Sequence, residues 1–199
     1  MAEVTIYNSP VHSDSTFSAV YGETGPSWAQ FHTGDDFIPY GSTPANPDIY
    51  SVSNGTVVET SNSTSAWHGN MVLIYDSTTG YYWRYCHMVA GSIAVTQGQT
   101  VTINTKLGVM GATGNVTGIH LHLECATTQA WQYSTFVNPS TVLGVPNQRG
   151  TIIHFGGTPP PPPPPPLIKS NNNVKKWAWF KNIKKVRYNI WIIKNIKIY

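Results

Sequence analysis

The sequence predicts an all-β protein built on an antiparallel, sandwich-like sheet, followed by a proline-rich linker and a basic C-terminal tail. Three observations carry that prediction. Charged residues make up only 11% of the chain, against 17 Gly and 11 Tyr, a composition suited to pleated, turn-rich structure. Apolar residues alternate with period two, most clearly in Gly118-Ile119-His120-Leu121-His122-Leu123-Glu124, the pattern of a half-buried strand. Short β-rich runs follow one another between turn signals, which implies antiparallel pairing.

The elements follow in order. Residues 1–14 are expected as a loose N-terminal arm, and residues 15–150 as the folded domain. Phe31-His32-Thr33-Gly34-Asp35-Asp36-Phe37-Ile38-Pro39 is extended, because Gly34 and Pro39 oppose a helix through it. Ile49 to Val52 and Thr56 to Val58 flank Asn54-Gly55, a short-range hairpin signal. Asn70 to Asp76 reads as a buried strand, Ser77 to Gly80 as a turn, and Tyr81 to Met88 as the returning strand. Two further short strands are expected around Gln99 to Ile103 and Leu107 to Met110. The glycine-rich run Gly111 to Gly118 lacks the P-loop lysine, and no helical pattern follows it, so it is not a phosphate cradle. Val137-Asn138-Pro139 closes the domain. Residues 151–166 are a linker ending in eight consecutive prolines, Pro159 to Pro166, which would span roughly 25 Å as polyproline II.

Charge divides the chain. Nine of the 12 Lys+Arg lie between Lys169 and Lys197 and all nine acids lie at or before Glu124, so the first part carries −6 and the tail +9. No nucleic-acid partner is expected. Two cysteines, Cys86 and Cys125, are too few for a disulfide framework or a four-Cys zinc site. No run of 18 apolar residues is present, so no membrane-spanning helix is expected. Met1-Ala2-Glu3-Val4 lacks the basic and apolar regions of a secretory leader.

Residues i and i+2 of a strand share a face, so His120 and His122 present two imidazoles side by side while Leu121 and Leu123 enter a core. Two such rings suit a hydrolytic metal site, one holding the ion and the other handling protons; the lesser alternative is a strand with two exposed histidines. His32 and Asp36 share parity in an extended chain and both face one site, with Asp35 turned away; Asp-Asp after Gly also fits a solvated turn.

Taken together, His32-Thr33-Gly34-Asp35-Asp36-Phe37, Tyr85-Cys86-His87-Met88 and His120-Leu121-His122-Leu123-Glu124 resemble the lysostaphin/LytM-type zinc metallopeptidases. Their order and spacing agree with that family, as do Asn54 to Val58, Gly69-Asn70 and Gly111 to Gly114. The resemblance covers about residues 15–145. It implies an antiparallel β-fold with zinc in a groove, and cleavage of peptide bridges in bacterial peptidoglycan. By position it makes His32, Asp36 and His122 the zinc ligands and His87 and His120 the catalytic pair. Three protein ligands leave a fourth position for water, as catalytic zinc requires. Glu124 shares the parity of His122, so it is either an acceptor supporting the site or a solvated strand-end residue. Some family members use a Tyr upstream of the first His ligand; here Trp28, Gln30 and Phe31 stand nearby and Tyr21 is further off, and the role has no assigned residue. His12, His68 and His154 match no family position. Parity also turns Cys86 and Cys125 away from the groove, as neighbouring buried thiols or a disulfide, with neither binding zinc.

With no secretory leader expected, an enzyme acting at the cell wall needs another route there: release from the host cytoplasm through a phage holin, as an endolysin, or carriage on a virion, ahead of export from the host. The tail, residues 167–199, places Val174, Trp177, Phe180, Ile183, Val186, Ile190, Ile193 and Ile196 at three- or four-residue steps between lysines. It reads as a segment for anionic membrane or wall polymers, as low-complexity sequence, or as the product of a shifted reading frame. Two rival functions remain: a catalytically inactive wall-binding module on the same fold, and a membrane-active protein working through its cationic tail.

Overall fold

The computed structural model describes residues 2–25 and 30–159; the polyproline run beyond Pro159, the 167–199 tail and Trp28 lie outside the described residues. Twelve strands form in chain order: β1 (Glu3–Ile6), β2 (Ser15–Ala19), β3 (Gly34–Pro39), β4 (Asp48–Tyr50), β5 (Gly55–Asn62), β6 (Asn70–Asp76), β7 (Tyr81–Met88), β8 (Thr100–Val101), β9 (Lys106–Val109), β10 (Leu121–Ala126), β11 (Phe136–Val137) and β12 (Ile152–Phe155). The helix α1 (Pro139–Leu143) starts on an Asn138 cap with Pro at its first turn and stops at Gly144 in the left-handed conformation, the usual order of start and stop signals.

One ten-stranded sheet runs β1-β12-β2-β3-β10-β7-β6-β5-β8, with β11 beside β10, and β4 pairs β9 in a separate two-stranded sheet. Pairing is antiparallel except between β1 and β12, which run parallel. Residues expected as the N-terminal arm and the start of the linker thus supply β1 and β12 of the main sheet.

Alternation along the central strands builds the core. Leu121, Leu123 and Cys125 of β10, Trp83 and Tyr85 of β7, and Val72 and Ile74 of β6 are buried in one cluster, which also takes in Ile49 of β4 and Leu107 of β9. The small sheet therefore packs over one face of the large one, the sandwich-like arrangement expected. The opposite face of β6 and β7 contributes Met71, Leu73 and Cys86 to a second cluster.

Two local expectations are corrected. Asn54-Gly55 is no hairpin turn, since β4 and β5 belong to different sheets. Asn54 instead accepts a hydrogen bond from the Ile103 N–H at 2.9 Å, and a Cβ at Gly55 would lie 2.5 Å from the Tyr75 carbonyl, so the glycine serves close strand approach. The two cysteines are free thiols but not neighbours: Cys125 lies in the main core and Cys86 in the cluster on the other face. Strict alternation fails at a bulge, where Cys86 and His87 together oppose the single residue Met71, between the pairs Tyr85–Val72 and Met88–Asn70.

Candidate metal centre

β3 and β10 are adjacent and antiparallel, and their register sets Asp36 directly opposite His122. His32 lies two residues before β3. Its Nδ1–H donates to the Val20 carbonyl at 3.1 Å, which leaves Nε2 as the ring's acceptor and turns it toward the strand pair. Three atoms then converge: His122 Nδ1 lies 2.8 Å from Asp36 Oδ1 and 3.1 Å from His32 Nε2, and His32 Nε2 lies 3.2 Å from Asp36 Oδ1. Ligands about 2.0–2.1 Å from a tetrahedral zinc stand about 3.3 Å apart, so the donor set and its spacing fit the ion. His32, Asp36 and His122 also form the described His/Asp/His group able to hold a metal.

Electrostatics favour a cation there. Burial opposes charge on His122, but hydrogen bonding to Asp36 and the nearby Glu124 carboxylate outweigh it and raise the imidazole to about 10. Burial likewise works against the Asp36 carboxylate, yet the His122 and His32 rings hold it well below the usual carboxylate range. A single proton on Nδ1 of His122 thus occupies the point where a carboxylate and two ring nitrogens meet. Asp35 faces away, as its parity requires, and accepts from the Tyr21 N–H at 2.8 Å and the Ser140 hydroxyl at 2.6 Å. Burial pushes its carboxyl up.

The two other expected histidines stand beside this centre. His120 Nε2 is 3.8 Å from Asp36 Oδ1, and its Nδ1–H donates to the Gly118 carbonyl at 2.9 Å. The His87 ring centre is 4.7 Å from that of His120, and its Nδ1–H donates to the Thr113 carbonyl at 2.9 Å. Both rings therefore keep Nε2 as the basic atom. Burial, with the neighbouring His122 and His120, lowers His87 to about 3, so it stays neutral. His87 sits in the bulge at φ 64°, a conformation that costs a β-carbon residue about 1–2 kcal/mol. The glycine-rich run supports both rings: a Cβ at Gly69 would lie 2.2 Å from the Thr113 carbonyl, so only glycine lets Thr113 approach closely enough to anchor His87.

Glu124 is fully buried rather than a solvated strand end. Its Oε1 accepts from the Thr33 hydroxyl at 2.5 Å and lies 3.1 Å from His122 Nε2, an ion contact rather than an aligned hydrogen bond. The sequence reading missed the residues behind it. Arg84 donates from Nε to Glu124 Oε2 at 2.5 Å, and its guanidinium sits 3.8 Å from the Trp131 ring centre and 4.7 Å from that of Trp67. A cation inside a strand run otherwise aromatic, Tyr82-Trp83-Arg84-Tyr85, was the available signal. All these groups line one cleft of about 700 Å³, whose wall also carries Phe31, Tyr133 and Phe136.

The other histidines are structural. His12 stacks between Tyr50 and Phe155, with ring centres 3.5 and 3.8 Å away; His154 Nδ1 pairs with Asp14 at 2.8 Å; His68 Nδ1–H donates to the Gly69 carbonyl at 2.7 Å. Tyr21 uses its hydroxyl on the Phe136 carbonyl at 3.4 Å.

Residues 30–139 match the model of peptidase family M23. The peptidoglycan DD-endopeptidase ShyA of Vibrio cholerae is 40% identical over 93 residues, covering 47% of this chain and 20% of that protein; the chain spans about a fifth of the length of the curated relatives it matches. The catalytic domain of lysostaphin from Staphylococcus simulans shares the fold, with a TM-score of 0.53 at 24% identity over 65% of this chain and 92% of that domain. The catalytic domain of the prophage-encoded M23 protein EnpA from Enterococcus faecalis, crystallised as a mutant, gives a TM-score of 0.51 at 26% identity over 63% of this chain and 89% of that one.

Proposed function

The chain belongs to peptidase family M23, and from that premise we propose that this zinc metallopeptidase hydrolyses peptide cross-bridges or stem peptides of bacterial peptidoglycan. The relative ShyA, a peptidoglycan DD-endopeptidase, supports the substrate. The observation that carries the reading is the convergence of His32 Nε2, Asp36 Oδ1 and His122 Nδ1 within 2.8–3.2 Å of one another in a cleft shared with two further imidazoles.

In this reading His32, Asp36 and His122 hold the zinc. Zinc held there would supply Lewis acidity, enough to lower the pKa of a water to about 7 and to polarise a carbonyl. His87 and His120 are the catalytic pair. Each has its Nδ1–H committed to a backbone carbonyl, so each offers Nε2 to take a proton from the attacking water or return it to the leaving amine. The aromatic cleft wall orients the peptide and excludes water around the reacting bond. Likeness to the prophage-encoded EnpA domain supports a lysin of phage origin, released from inside the cell or carried on a virion.

The test is digestion of purified peptidoglycan from several bacteria by the full chain, with mass analysis of the fragments. New amine termini at one peptide bond are expected, lost with a chelator or with His120→Ala and kept when the chain ends at Thr158. Lysis that survives the chelator and His120→Ala but disappears with that truncation would overturn the reading in favour of the cationic tail.

A further inference from the structure

We propose that Arg84 is a positioning residue for the metal centre: it acts through Glu124 on His122, and Trp67 and Trp131 hold it in place from the cleft wall. The inference rests on the assignment of His122 as a zinc ligand.

Arg84 and Glu124 are register partners on β7 and β10, so neighbouring strands deliver them to the same face. Both are withdrawn from solvent, Glu124 completely and Arg84 to 6% exposure. The two oxygens of Glu124 have separate duties. Oε2 takes the Arg84 fork, through Nε at 2.5 Å and through Nη2. Oε1 takes the Thr33 hydroxyl and faces His122 Nε2. The Arg84 contact therefore fixes the plane of the carboxylate and, with it, the place of the oxygen beside His122.

That oxygen decides what His122 can do. A ring with a carboxylate beside Nε2 favours its proton on that side, keeps its Nδ1 lone pair for a metal and becomes a stronger donor to it. A buried carboxylate without its cation partner would swing toward another donor, which releases the ring. Arg84 prevents that swing. Its charge is neutralised by Glu124, which argues against a role in holding an anionic substrate. Two aromatic rings confine the planar guanidinium, Trp131 at 3.8 Å and Trp67 at 4.7 Å; an ammonium has no plane to confine. Trp67 is 49% exposed, so the outer wall of this clamp is also substrate-facing surface.

The test uses full chains carrying Arg84→Gln, Arg84→Lys, Glu124→Gln, the Arg84→Gln/Glu124→Gln pair and Trp67→Ala. Zinc affinity is read by chelator competition, alongside KM, kcat at saturating zinc and thermal stability. Arg84→Gln is expected to weaken zinc about 10-fold or more, the usual effect of losing a group behind a ligand. It should lower kcat while KM stays within about twofold, since it touches neither substrate nor reacting atoms. Arg84→Lys should recover part of the loss, and Trp67→Ala, at an exposed position, should weaken zinc about 2–5-fold through the loosened guanidinium. Adding Arg84→Gln to Glu124→Gln should cost little more, because residues acting in series are not additive. Wild-type zinc affinity in a folded Arg84→Gln chain overturns the proposal, as does a full additional loss in the double variant. If Arg84→Gln does not fold, Trp67→Ala decides, and unchanged zinc affinity there overturns it. A wild-type chain that binds no zinc would instead sink the underlying metal assignment.

Discussion

Zinc must compete with a proton at this centre, so its affinity should climb with pH. In the metal-free chain burial disfavours charge on His122, but Asp36 and Glu124 raise the ring to about 10. Between about pH 6 and pH 8 the ring is therefore protonated, whereas a ligand nitrogen has to be bare. Asp36 adds nothing to the balance, because its carboxyl is already ionised throughout that range. One proton leaves per ion from His122, so affinity should rise about tenfold per pH unit and about 100-fold across the window. Chelator competition at the two ends, corrected for the chelator's own protonation, reads the slope. Calorimetry in two buffers of unlike ionisation heat counts the proton. The same proton stabilises the metal-free fold. Because the folded value lies above the unfolded one of 6.5, the contribution is complete below about pH 6.5 and fades as pH rises toward 10, so the metal-free chain should melt at a lower temperature at pH 9 than at pH 6.5. A flat zinc affinity from pH 6 to pH 8 would refute the placement of the proton on His122, and with it that ring's place among the ligands.

Three other outcomes are expected. His87→Gly should be about 1 kcal/mol more stable than His87→Ala in urea unfolding, because glycine removes the cost of φ 64° while both variants lose the ring; equal stabilities would show that the bulge relaxes. Leu123→Ala, at a fully buried position in the main core, should cost about 2–5 kcal/mol, and a loss below about 1 kcal/mol in the same assay would mean the core closes over the gap. Cys86→Ser with Cys125→Ser should leave zinc content by atomic emission unchanged in folded protein, since neither thiol is among the converging atoms; loss of zinc with the fold intact would contradict that.

Much of the centre was legible because the strands around it obey short-range rules. Period-two alternation in His120 to Glu124 separated the core-facing leucines from His122 and Glu124, and parity sent Asp36 and Asp35 to opposite sides. Alternation stopped working at Cys86 and His87, where an extra residue re-aims the imidazole and leaves Cys86 on the face of Arg84. The re-aimed ring is held by the Thr113 carbonyl, a long-range contact with no local signature. Arg84 went unread for a related reason: its partner is 40 positions away, and only the register of β7 against β10 joins them. Asn54-Gly55 carried a genuine turn preference, but the pairing of β4 with β9 overrode it.

The parallel contact of β1 with β12 also bears on how the molecule is made. β12 lies between β1 and β2, so residues 3–6 find their partners at residues 152–155, near the other end of the domain. Every hairpin in between can zip as it emerges, but this edge waits, and such distant pairing is slow because the loop must close before any contact rewards it. Pairing of β1 with β12 is thus expected late, and until residue 155 has been synthesised the side of β2 that β12 covers lacks its partner and stands open to misassociation.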